Sequence, residues 1–210
     1  MADPLRPYGG ENGADRVKRR RAALVQAALE ILGSPDGGPI SVRGVCREAG
    51  LTARYFYESF EDADALVAAT YDEVVFDIAA AAQEAVVAGG RSPRDQISAV
   101  VRVIVDRIDA DQRRGRVLFS QTLLSGKLAA KRMDTILMFA ALTMQNSGAQ
   151  DEGPEVQGAA HFYVGGFGQV LSAWIDGRID CSTDELVDLC VKMMYGAVSE
   201  LLPKRADQNH

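Results

Sequence analysis

The residues best suited to do chemistry in this 210-residue chain stand together in Ile40–Phe60, ISVRGVCREAGLTARYFYESF. Val42, Val45, Cys46 and Ala49 recur at helical spacing and form one apolar face of a short helix that Ser41 can cap. Gly50 comes next, where a helix commonly ends on a left-handed residue that a β-carbon disfavours. Thr52 is the capping residue of a second short helix, which carries Phe56 and ends near Phe60. The two aromatics can anchor that helix on the first, leaving its other side chains rigid and exposed. A tight turn at Ala49-Gly50-Leu51 makes such a pair cross steeply, and the second helix then fits the major groove of DNA. N–H groups at its start are suited to holding phosphate oxygens. The chemistry on offer is hydrogen bonding to nucleic acid.

Charge agrees with that placement. The net charge of −6 argues against a uniformly basic nucleic-acid binder. Residues 15–60, however, carry eight Lys/Arg against five acids, so this part holds +3 and the remainder −9. A locally positive end on an acidic body suits DNA binding at one end only.

Signs of catalysis are missing. His161 and His210 are the two histidines, no His, Cys and carboxylate cluster has metal spacing, and no G-x-S-x-G occurs. We therefore expect no enzyme, no metal and no cofactor. An all-α enzyme, or a helical interaction module without DNA binding, remains the alternative class. Cys46 and Cys190 sit at apolar helical positions, which favours core packing over redox sensing, and Cys181 completes an odd count. Gly165, Gly166 and Gly168 follow no strand and lack the G-x-G-x-x-G spacing, so close helix approach explains them better than nucleotide binding.

The elements that must position the motif are all helical. Residues 1–14, rich in Gly, Pro and polar groups, read as a disordered arm without the apolar run of a signal peptide. Leu24, Ala27, Ala28, Ile31 and Leu32 line one face of the helix that follows, and Ser34–Pro39 breaks it. Glu61, Asp62 and Asp64 open a long helix running through Val67, Val74, Ile78 and Ala82 to Gly89–Gly90. Ser92-Pro93 starts the next, with Ile97, Val101, Ile104 and Ile108 on one face. A shorter piece at Val117–Leu124, a long helix at Leu128–Gln145, a loop at Ser147–Pro154 and helices at Glu155–Asp176 and Thr183–Leu202 complete the chain. The fold class is all-α: an N-terminal helix-turn-helix head at 15–62 and a C-terminal helical bundle at 63–210. Nothing approaches the roughly 20 apolar residues of a membrane span, so a cytoplasmic protein is expected.

With these residues in place, the stretch resembles the DNA-binding head of the TetR (tetracycline-repressor-like) family, T-V-x-x-I-A-x-x-A-G-V-S-x-x-x-[LF]-Y-x-x-F. The positions that match are Ser41, Val42, Val45, Cys46, Ala49, Gly50, Leu51, Thr52, Phe56, Tyr57 and Phe60. The resemblance extends from about Arg19 to Val74, and Gly165–Asp180 is similar to the family's penultimate helix and exit turn. It implies a sequence-specific transcriptional regulator, a repressor released by a small hydrophobic ligand. Thr52, Ala53, Arg54 and Tyr55 would lie near base edges, with Arg54 on guanine, and Tyr57 would hold a phosphate. Arg43 would touch phosphate or base, and Ser41 phosphate. The Arg16–Arg21 cluster either follows the DNA backbone or minor groove or is a solvated helix face. One departure is Ala63, where many members carry a phosphate-binding Lys; Glu61, Asp62 and Asp64 beside it either repel DNA or merely start a helix.

The resemblance also implies a homodimer built from the last two helices. It would place two heads about 34–36 Å apart on a near-palindromic double-stranded operator. The stripe Leu186, Leu189, Cys190, Met193, Met194, Ala197 and Leu201 would serve both the chain's own bundle and the partner. A small-molecule effector would enter the bundle behind the head. Candidate lining residues are Phe76, Ile104, Phe119, Met133, Phe139, Phe162 and Trp174, with Gln121 and His161 orienting the ligand, each with ordinary core packing as the alternative.

Overall fold

The computed structural model describes residues 13–90, 92–119, 126–146 and 153–201, and all the regular structure among them is helical. Most of the expected arm, together with Gln121 and most of the 147–154 loop, lies outside the described residues. The helices are α1 (Gly13–Gly33), α2 (Val42–Glu48), α3 (Ala53–Tyr57), α4 (Ala63–Ala88) and α5 (Pro93–Ala110). After them come α6 (Gln112–Phe119), α7 (Gly126–Asn146), α8 (Pro154–Ile175) and α9 (Thr183–Leu201). No described helix is long and apolar enough to cross a membrane.

Helix starts follow local chemistry. Ser41 accepts from the Gly44 N–H at 3.1 Å, Asp62 from Ala65 at 2.7 Å and Ser92 from Asp95 at 3.1 Å, each satisfying an N–H that the helix itself cannot. Pro93 sits where a missing N–H does no harm. Thr52 has the extended backbone of a cap but makes no side-chain capping bond, which leaves its hydroxyl uncommitted. The shorter sixth helix begins earlier than its periodicity implies. Gln112 to Gly115 are polar or small, so the apolar signal starts only at Val117.

Leu24, Ala28 and Leu32 of α1 are buried with Val45 of α2, Phe56 of α3 and Leu66 of α4 in one continuous core. That core runs on through Val74, Ile78, Val101, Val105 and Ile108 of α4 and α5 to Leu186, Val187 and Cys190 of α9. The last helix is thus an integral layer of its own chain, packed on α5. Cys46 and Cys190 are buried free thiols, and desolvation pushes Cys190 up to about 11, which makes it a packing residue with little thiolate.

Polar ties join α6 to its neighbours. Arg113 pairs with Glu30 of α1 and with Asp111, while Arg116 donates to the Gly33 carbonyl at 3.1 Å. A β-carbon at Gly33 would run into the backbone of Arg113, so the α1–α6 crossing needs glycine there. Asp77 of α4 bridges Arg107 of α5 at 2.5 Å and Arg114 of α6 at 2.6 Å. The helix α1, against which the head motif packs, is thereby tied to the body through α6.

Candidate nucleic-acid interface and internal cavity

The turn between α2 and α3 follows from its sequence. Gly50 adopts φ +65°, its N–H bonds to Arg47 O at 3.3 Å, and the Leu51 N–H reaches Cys46 O at 2.9 Å. This double closure ends α2 and redirects the chain, and the positive φ is what requires glycine. Phe56 is fully buried and Phe60 nearly so, with ring centroids 5.9 Å apart. The short helix is therefore pinned by its inner face.

Its outer face is open. Ser41, Arg43, Thr52, Ala53, Arg54 and Tyr57 are all exposed. The Arg54 side chain is 85% exposed and makes one ion pair, to Glu58 at 3.2 Å. Tyr57 is 62% exposed and braced edge-on against Phe56 at 5.4 Å. Tyr55 departs from the expectation of an open position, because the Arg20 guanidinium covers its half-buried ring at 4.4 Å from the centroid. Arg20 also reaches Glu58 at 3.2 Å, and Arg21 stacks over Phe60 at 4.9 Å. Part of the basic cluster thus fastens α1 to the short helix, a third use that neither sequence reading anticipated. Glu61 and Asp64 stay exposed beside the head, Asp62 caps α4 and Ala63 is half-buried.

Behind the head lies a cavity of about 470 Å³ between α4, α5, α6, α7 and α8, with Met194 of α9 at its wall. Ile104, Phe119 and Phe139 line it. Five other expected lining residues do not. Phe76 and Phe162 are 66% and 71% exposed, and Met133 and His161 also lie on the surface, because their helices turn those faces outward. Trp174 is half-buried outside the lining and donates Nε1 to the Cys181 carbonyl at 3.1 Å, fastening the exit turn of α8 where Gly177 takes φ +69°. Gly168 packs against the Phe119 ring, but Gly165 and Gly166 have open space where a β-carbon would stand, so no helix of this chain approaches them closely.

Sequence reasoning missed the cavity's polar members, among them Arg132, Thr135, Tyr71 and Tyr163 beside Gln83, Gln96 and Gln169. Among the described residues Arg132 is the one formally charged member of the lining. Its Nη2 donates to the Val117 carbonyl at 3.2 Å, while its Nε is buried with no partner. Desolvation lowers its pKa without discharging it, since a guanidinium stays protonated far above neutrality. The Tyr163 hydroxyl is likewise buried and unpartnered, and burial raises its pKa. Burial raises that of Tyr71 as well, against an opposing hydrogen bond with Thr135. The signal available in the sequence was a cationic residue at helical spacing from Thr135, Ile136 and Phe139.

A helix-turn-helix head on an all-helical body with an internal cavity defines the class of architecture. Its fold is that of TetR-like transcriptional regulators. The structure of one from Rhodococcus sp. RHA1 aligns at TM-score 0.67 with 17% identity, covering 86% of this chain and 96% of that one. A TetR-family regulator from Streptomyces coelicolor gives 0.68 and 17%, covering 87% and 82%. The regulator FadR from Bacillus subtilis, solved with stearoyl-CoA, gives 0.70 and 14%, covering 84% and 98%. No family model matches the sequence, and no curated protein sequence does. At these identities the likeness is one of fold.

Proposed function

We propose that this chain is a homodimeric, sequence-specific DNA-binding transcriptional regulator whose grip on DNA is released by a small apolar ligand in the cavity. The observation that carries the reading is the two-sided α3: Phe56 is sealed in the core, while Arg54 and Tyr57 stand in solvent on the opposite face. A helix this short has no reason to be held so rigidly unless its outer face is used. Arg54 reads a base edge, Tyr57 and Ser41 hold phosphates, and Arg43 reaches backbone or base. Thr52 and Ala53 lie at the edge of the groove, and Tyr55 braces Arg20.

The dimer reading is supported by apolar exposure on the last two helices. Phe162 of α8 and Leu189 and Met193 of α9 are exposed, and Gly166 leaves room for a partner helix. Large exposed apolar side chains on neighbouring elements are typical of an association face. The ligand reading is supported by the size of the cavity and its largely apolar lining. The FadR structure that holds stearoyl-CoA is a fold neighbour and lends the reading its direction.

The test is a gel-shift titration with the DNA upstream of the chain's own gene and with unrelated DNA. The regulator reading expects a preference for the former and an affinity that falls steeply with salt, as release of condensed counterions requires. Binding to no genomic fragment would leave the helical interaction module as the better description.

A further inference from the structure

We propose that the cavity takes an apolar monocarboxylate, a molecule with a single carboxylate on a hydrocarbon or aryl body, and that Arg132 holds its charged end. This rests on the regulator reading above and names the chemical class of its ligand.

The argument begins with an imbalance. Among the described residues no Asp or Glu lines the cavity, so the Arg132 charge faces it without a counter-charge from them. Its Nε is buried without an acceptor, and its one protein bond goes to a neutral carbonyl, that of Val117 at 3.2 Å. A cation drawn out of water and left unpaired is strongly unfavourable, and a bound anion would relieve that cost. Lys131, the adjacent cation, shows the contrast: both carboxylate oxygens of Asp72 lie 2.7 Å from its Nζ. A second orphan, the Tyr163 hydroxyl, belongs to the same lining. A carboxylate has lone pairs enough to accept from a guanidinium and from a further donor.

The rest of the wall selects the body of the ligand. Ile78, Ile97, Val101, Ile104, Phe139 and Phe167 offer apolar surface and no charge. One cation balances one negative charge, so a phosphate dianion would leave charge uncompensated. A neutral hydrocarbon would leave the guanidinium without a counter-charge, and a cation would be repelled. A cavity of about 470 Å³ is the right order for a molecule of drug size.

Calorimetry on the full chain tests this with decanoate and decanol, which share a tail and differ in the head. The wild type should bind decanoate more tightly by about tenfold or more, the advantage of a hydrogen bond to a charged group. Arg132→Met should erase that preference while keeping decanol binding, and Arg132→Lys should restore part of it. Circular dichroism establishes that both variants fold; the wild-type comparison needs neither. Tyr163→Phe should weaken decanoate several-fold and leave decanol unchanged. Equal binding of the two probes, binding of neither, or a preference that survives Arg132→Met overturns the proposal. So does decanoyl-CoA binding more tightly than decanoate and indifferent to Arg132→Met. A gel shift on the same protein separates the two failures. Specific DNA binding without a carboxylate preference refutes the ligand class alone, and a carboxylate preference without DNA binding refutes the regulator.

Discussion

Replacing Arg54 by alanine should leave the protein as stable as before and make it far less selective for its operator. Within the chain Arg54 makes one ion pair, with Glu58 at 3.2 Å, from a side chain 85% exposed. Exposed pairs four residues apart on a helix contribute about 0.3–0.5 kcal/mol, and alanine's better helix propensity offsets part of that. Glu58 also keeps its second partner, Arg20. On DNA the same guanidinium, bonded to guanine O6 and N7, contributes roughly 1–3 kcal/mol of discrimination per contact. A dimer places two copies, so roughly 2–6 kcal/mol is at stake, and each 1.4 kcal/mol is about tenfold. The assay is paired: a melting curve for each protein, then gel-shift titrations on a selected operator and on scrambled DNA at fixed salt. Tyr57→Phe serves as the control, because loss of a phosphate contact weakens both DNAs alike. The reasoning is refuted if Arg54→Ala lowers the melting temperature markedly, or if it weakens operator and scrambled DNA by the same factor.

Three further outcomes follow from the packing. Phe56→Ala empties a fully buried site and should destabilise the protein by roughly 3–5 kcal/mol in urea denaturation, with DNA binding lost as a consequence. Phe162→Glu or Met193→Glu should give monomers in size-exclusion chromatography with light scattering, at little change in melting temperature, because both side chains are exposed in the single chain. Removing α9 before Thr183 is not an equivalent test, since it strips Leu186, Val187 and Cys190 from the chain's own core. The third outcome concerns acid. Glu30 and Asp111 are held below the ordinary carboxylate range chiefly by hydrogen bonds from Arg113. Their contribution to stability is complete above that range and is lost as the pH falls through their lowered values, below about pH 4. Melting temperature against pH should therefore drop in that window, less steeply in Arg113→Met. Because Glu30 is a surface group, added salt should reduce its share.

The head could be read in advance because most of what shapes it is local. Caps at Ser41 and Asp62, the left-handed Gly50 and the spacing of Val45, Phe56 and Phe60 act within a short stretch of chain, where residue type and interval decide the outcome. Tyr55 shows where local reading fails. Its ring is covered by Arg20 of α1, and no interval within α3 announces that contact. The cavity was harder. Phe76, Met133 and Phe162 sit among apolar neighbours on more than one face, so periodicity cannot say which face turns inward. Arg132 stands beside Lys131 and reads as part of a solvated pair, yet one lysine-like neighbour faces Asp72 and the arginine faces the cavity.

What the amino-acid order determined by itself was the all-helical class, the turn at Gly50, the sealed aromatic face of the short helix and the uneven distribution of charge. Each depends on hydrogen bonds and side-chain intervals spanning a few residues. Which faces of α4, α7 and α8 enclose space, that α9 packs on α5, and that Arg132 meets no counter-charge among the described lining residues were decided only when the helices packed. Helix orientation is set by the sum of many distant contacts, and no single segment carries that sum in its own residues.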